Sequence, residues 1–125
     1  MRVKDVMHQP FVTEKDISLK EVAKIMSSKK IGSLVYLSNG KVKGIVTKGD
    51  LVKNYDTDKK VSQVMATEVV TISPEETLKF AAEMMRKKKI KKLPVMSNRE
   101  LVGIVTASDL IDNAEEIEDN FFFDY

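Results

Sequence analysis

The heptapeptide GIVTKGD at residues 44–50 returns as GIVTASD at residues 103–109, 59 positions later. The two copies are the visible part of a longer repeat. VKDVM at 3–7 answers to VSQVM at 61–65 with an offset of 58, and from Leu19 onward the offset is 59. At that spacing Leu19, Ala23, Met26, Ile31, Leu34, Gly44 and Asp50 recur as Leu78, Ala82, Met85, Ile90, Leu93, Gly103 and Asp109. A register kept over this length is an internal duplication, so one supersecondary unit must fold twice.

Each repeat reads as helix, hairpin, helix. Leu19, Val22, Ala23 and Met26 fall at i, i+3, i+4, i+7, and Leu78, Ala81, Ala82 and Met85 do the same, which places them on one helical face. The second run follows SPEE, where Ser73 is expected to cap and Pro74 to take the first helical position. Short apolar strands come next, SLVYL and LPVM, then turns at Asn39-Gly40 and Asn98-Arg99. Asn-Gly is a strong hairpin signal because both residues tolerate positive φ. The second strands, VKGIV and LVGIV, lead into Thr-x-x-Asp segments that are expected to open a closing helix. A unit of about 60 residues buries too little surface to be robust alone, so one two-repeat module is expected. Its parts are repeat 1 at 1–54, a polar linker at 55–60, repeat 2 at 61–112 and an acidic, aromatic tail at 113–125.

Composition narrows the chemistry. The 125 residues include no cysteine, which excludes disulfides and thiolate metal sites, and His8 is the only histidine. No nucleophile–base pair and no metal-ligand spacing emerges, so an enzyme is not expected and no metal site is assigned. No apolar run approaches the ~20 residues of a membrane span, and MRVKDVMHQP does not read as a signal peptide; a cytoplasmic protein without membrane contact is expected. Residues 112–125 hold six acidic residues and no basic ones, which leaves 21 basic against 13 acidic over 1–111. A basic body suits anionic ligands such as phosphates. The RKKKIKK run at 86–92 is read first as lysines solvated at a helix C-terminus. With few aromatics outside the tail, nucleic acid is not expected as a partner. His8 reads as a surface or ligand-rim residue, and the methionines as core packing.

The Thr-x-x-Asp segments admit two readings. Thr47 with Asp50, and Thr106 with Asp109, have capping-box spacing, and helix capping by itself accounts for it. Gly44 and Gly103, three residues earlier, allow another group to approach the backbone closely. Amides at a helix start attract phosphate, while a carboxylate one turn inside can accept from vicinal hydroxyls. Phosphate beside a diol is what a nucleotide presents.

With VMxxxxVT, the amphipathic helix, KKIKKLPV and GIVTASD in place, the chain resembles a tandem cystathionine β-synthase (CBS) domain pair, or Bateman module, over about residues 1–112. The resemblance implies an α/β (α+β type) fold of two pseudosymmetric repeats. Each would be a small sheet with two packed helices, the sheets packing face to face around two clefts for adenosyl ligands. It implies a regulatory module that needs no cofactor but takes AMP, ADP, ATP or S-adenosylmethionine as effector. A homodimer and a regulated protein in trans are the partners it implies. Carried over by position, Asp50 and Asp109 would hold ribose hydroxyls. Thr47 and Thr106 would meet phosphate, with Gly49 in the first copy where the second has Ser108. The base would lie against Thr67, Val69, Val70 and Thr71 in the Asp50 cleft, and against Pro10, Phe11, Val12 and Thr13 in the Asp109 cleft. Lys91 and Lys92 would approach phosphate in the first cleft. The Asp50 cleft thus has the better phosphate charge and the Asp109 cleft the better hydroxyl set, with a slight preference for Asp109. The alternative is a constitutive dimerisation or scaffold module with empty clefts.

Overall fold

The computed structural model describes residues 1–117. Two long helices, α2 (Leu19–Lys29) and α5 (Leu78–Lys88), occupy corresponding places in the repeats. Their buried faces are Leu19, Val22 and Met26 in the first and Leu78, Ala81, Ala82 and Met85 in the second. Ser18 caps α2 by accepting from the Glu21 amide at 3.2 Å. The expectation for α5 needs correction: Thr77, not Ser73, is its cap and accepts from the Phe80 amide at 3.1 Å. Ser73 instead closes a turn, its carbonyl taking the Glu76 amide. Both helices end on a left-handed lysine, Lys30 and Lys89 at φ 56°.

The predicted hairpins are present. Strands β2 (Ser33–Ser38) and β3 (Lys41–Thr47) pair antiparallel, as do β4 (Lys92–Ser97) and β5 (Glu100–Thr106). Short β1 (Val12–Thr13) adds to β2 in parallel, with Val12 opposite Val35. Residues Asn39 and Gly40 turn the first hairpin at φ 53° and 76°. After each hairpin comes a six-residue helix, α3 (Lys48–Lys53) or α6 (Ala107–Asp112).

The chain divides into two compact units, one of Met1–Gln9 with the chain from Val70 onward, the other Pro10–Val69. These differ from the sequence repeats by an exchange of their first helices, α1 (Val3–Val6) and α4 (Val61–Val64). Fully buried Val3 joins the core of Leu78, Leu93, Val95 and Val105, and its amide donates to the Glu76 carbonyl at 2.8 Å. In the other unit, fully buried Val61 joins Val22, Met26, Leu34 and Val46. Residues 55–60, read as a linker, lie within this second unit, where the Lys59 carbonyl takes the Leu19 amide and Lys60 bridges Ser18.

The first residues assigned to the tail are packed. A 3₁₀ turn at Ala114–Glu116 delivers Ile117, 3% exposed, onto the core that holds Leu110. The run of acids and aromatics beyond it, Glu118 to Tyr125, lies outside the described residues.

Candidate functional site

Strand β3 ends at Thr47 and β5 at Thr106, and each threonine is the extended N-cap of the short helix that follows. The carboxylate of Asp50 accepts from the Thr47 amide at 2.9 Å and from Thr47 Oγ1 at 3.3 Å, both through Oδ2. The Asp109 carboxylate does the same with Thr106, at 2.8 and 2.9 Å. In the second box the Asp109 amide also donates to Thr106 Oγ1 at 3.3 Å. The structure therefore brings together both predicted Thr–Asp pairs and uses one oxygen of each acid for capping. Each helix spans only six residues, so what it offers an anion is its first-turn amides.

The glycines have an internal use. A Cβ on Gly103 would stand 2.6 Å from Met7 Sδ, and one on Gly44 would stand 2.6 Å from Met65 Cγ and 2.9 Å from the Ala66 carbonyl. The group that approaches the strand is thus the methionine of VKDVM or VSQVM, in the same unit. Just beyond each methionine the chain bridges the strand two residues before the threonine. His8 exchanges both backbone bonds with Ile104 at 2.9 Å, and Ala66 does so with Ile45 at 3.0 and 3.1 Å.

These bridges place His8 and Ala66 at equivalent positions, and here the boxes diverge. The His8 Nε2 lies 2.5 Å from Asp109 Oδ1. Ala66 has nothing to offer Asp50, whose Oδ1 is without a partner among the described residues. The Asp109 side chain is 10% exposed under a His8 ring that is 65% exposed, whereas Asp50 is half-buried. This pairing was missed in the sequence. The only signal was the 58-residue offset that aligns His8 with Ala66, and it needed the backbone bridges to acquire meaning.

The other predicted residues distribute as follows. Gly49, Thr67 and Val69 share the unit of Thr47 and Asp50, as do Pro10, Phe11, Val12 and Thr13. Thr67 directly follows the Ala66 bridge, while Phe11 and Val12 are exposed. Val70, Thr71, Lys91, Lys92 and Ser108 fall in the unit of Thr106 and Asp109. There β4 sets Lys92 opposite Thr106, and the Lys91 carbonyl takes the Ala107 amide at 2.8 Å. Within its own unit the lysine pair thus lies beside the second box by backbone register. A cavity of about 440 Å³ between α2 and α3 is lined by Ala23, Met26, Lys30 and Lys48 among others, and neither Thr47 nor Asp50 lines it. Among the described residues no helix is long and apolar enough to cross a membrane.

Comparison with known proteins places these features in a family. The CBS domain model matches residues 3–56 and again 61–116. The chain belongs to the CBS domain family, as a tandem pair. It is 32% identical over 117 residues to the CBS domain-containing protein YhcV of Bacillus subtilis, covering 89% of this chain and 84% of that protein. It is 36% identical over 118 residues to a homoserine O-acetyltransferase of Methanohalobium evestigatum, but spans only 24% of that enzyme's length against 91% of its own. Among solved structures, the CBS domain pair of protein MJ0100, in complex with 5′-methylthioadenosine and S-adenosyl-L-methionine, matches with a TM-score of 0.86. The identity there is 31%, over 92% of this chain and 96% of that one.

Proposed function

We propose that the protein is a regulatory module that binds an adenosyl ligand at its Thr-x-x-Asp boxes and acts on a partner in trans. The observation that carries the reading is Asp50: capping fixes the carboxylate through Oδ2 and leaves Oδ1 as an oriented acceptor. An oxygen has two lone pairs, enough for the two hydroxyls of a ribose. Thr47 gives its amide and hydroxyl protons to Asp50, so the first-turn amides around Gly49 are what the segment offers phosphate or a polar substituent. The adenosyl class is supported by the MJ0100 domain pair, crystallised with two sulfur-containing adenosyl compounds. Among AMP, ADP, ATP and S-adenosylmethionine, the last therefore leads. Regulation requires the ligand to favour one of two conformations, and a homodimer is the assembly in which such a bias would reach a partner.

A second reading has its own support. In both boxes the acid caps the helix through its threonine, and both glycines are explained by Met7 and Met65. These features suit a constitutive dimerisation or scaffold module equally well. Thermal unfolding separates the two readings, with AMP, ADP, ATP, S-adenosylmethionine and NAD each tested on wild type, Asp50→Ala and Asp109→Ala. A ligand at ~100 times its Kd stabilises by ~2.7 kcal/mol, a shift of several degrees for a domain this size. A shift that disappears in Asp50→Ala is the expected result. No shift with any ligand, both variants being merely about 1 kcal/mol less stable, would leave the scaffold.

A further inference from the structure

We propose that His8 is a lock on the second box, so that Asp50 and not Asp109 is the acid that accepts a ligand first. The inference rests on the adenosyl reading above and specifies which of two near-identical sites that ligand fills. An ionised carboxylate has two oxygens and about four lone-pair positions. In both boxes Oδ2 is used twice, by the amide and the hydroxyl of its threonine. In the first box Oδ1 has no partner among the described residues and keeps both lone pairs for a vicinal diol. In the second, His8 Nε2 occupies one of them at 2.5 Å, and a diol finds a single acceptor position unless the imidazole leaves.

The lock is built into the backbone. His8 is fixed opposite Ile104 by two 2.9 Å hydrogen bonds, two residues from the threonine that orients the acid. The same ladder in the other unit presents Ala66, a methyl group too short to reach a carboxylate. Because the two bridge positions share a register, the difference in acceptors at Oδ1 traces to one side chain, His8 against Ala66. It is also reversible. The ring is 65% exposed, so it can turn away if a ligand supplies enough of its own bonds. Hydrogen bonds to charged groups are the stronger ones, so displacing this one weakens binding about tenfold or more. This reverses the slight preference for Asp109 that the hydroxyl set of Thr106 and Ser108 suggests.

Isothermal titration with S-adenosylmethionine and with AMP tests the lock on wild type, His8→Ala, Ala66→His, Asp50→Ala and the double variant His8→Ala/Asp109→Ala. Alanine is what the equivalent bridge already carries, so His8→Ala leaves the ladder intact. Wild type is expected to show one tight site per chain, lost in Asp50→Ala. His8→Ala is expected to reveal a second site at least about tenfold tighter than in wild type, lost again in the double variant. Ala66→His is expected to weaken the first site by a similar factor. A wild type that fills Asp109 as tightly as Asp50, or a His8→Ala protein that titrates like wild type, overturns the lock while leaving the adenosyl reading standing. Absence of binding in both wild type and His8→Ala overturns the two together, and binding that appears in His8→Ala alone overturns Asp50 as the first acid.

Discussion

Arg99 sits at φ 68° in the turn where the first repeat has Gly40 at φ 76°. A side chain in the left-handed region crowds its own backbone, and glycine does not. Arg99→Gly is therefore expected to raise stability by about 0.5–1 kcal/mol despite the added freedom of the unfolded chain, read as a higher urea midpoint at unchanged slope. The strand glycines predict the opposite sign. Gly44→Ala brings Cβ onto the Ala66 carbonyl at 2.9 Å as well as onto Met65, whereas Gly103→Ala meets the His8 carbonyl at 3.2 Å and chiefly the flexible end of Met7. Overpacking costs about 1–3 kcal/mol, with Gly44→Ala at the upper end and Gly103→Ala at the lower; equal losses would contradict the geometry. The spacing of these glycines was legible as a demand for close approach. The identity of what approaches was not, because Met7 and Gly103 are 96 positions apart and only the folded chain brings them together.

Among the elements, α3 and α6 hold equivalent places in the repeats and differ in burial. Leu110 on α6 is 3% exposed, covered by Ile117 from the 3₁₀ turn, while Leu51 on α3 is half-buried beside exposed Val52 and Tyr55. The position answering to Ile117 in the first repeat is Asp58. Leu110→Ala is expected to cost about 2–5 kcal/mol and Leu51→Ala less than half of that, as partial exposure implies. Ile117→Ala, which truncates a side chain that is 3% exposed, is expected to cost about 2 kcal/mol or more. A second inter-element link has a pH signature. Asp16 Oδ1 accepts from the Ser62 amide at 2.8 Å and Oδ2 from the Ser62 hydroxyl at 2.6 Å, tying the start of α2 to α4. The hydrogen bonds from Ser62 lower the Asp16 pKa. A lowered carboxyl contributes stability that is present above its unfolded value and lost as pH falls through the folded one. Wild type is thus expected to melt slightly above Ser62→Ala at pH 7, by about 1 °C for so exposed a pair, with the gap closing below about pH 4. Helical periodicity made α2 and α5 legible in advance. The SPEE turn misled because Ser73 and Thr77 both offer hydroxyls and only packing of Leu78 decides between them. The four-residue helices α1 and α4 are too short to carry a period at all.

At the scale of the molecule, the repeat written in the sequence and the unit that folds are different stretches of chain. The duplication, and with it the family, was legible because it is a matter of register. The exchange of α1 and α4 was not, since the partners of each lie far along the chain: backbone bonds, a fully buried valine and, for α4, the Asp16–Ser62 link. Val3 and Lys4 donate to the Glu76 and Pro74 carbonyls at 2.8 and 3.0 Å, and His8 pairs with Ile104. Those bonds hold the N-terminal nine residues to the unit that begins at Val70. Cutting at the sequence boundary should therefore break both units, and cutting at the structural boundary should keep one. A fragment of residues 10–69 retains Val61 in the core with Val22 and Val46, the Ala66–Ile45 bridge and the Asp16–Ser62 link. It is expected to unfold cooperatively in urea, at a lower midpoint than the full chain because units of this size are marginal. A fragment of residues 1–60 has the same length but lacks all three, and carries nine residues whose partners are absent; it is expected to show no cooperative transition. For the other unit, residues 70–125 are expected to gain protection from amide exchange when a Met1–Gln9 peptide is added, and not when the peptide carries Val3→Asp. If 1–60 folds as well as 10–69, the two short helices are ornaments on the repeats; if only 10–69 folds, each is the missing wall of a core.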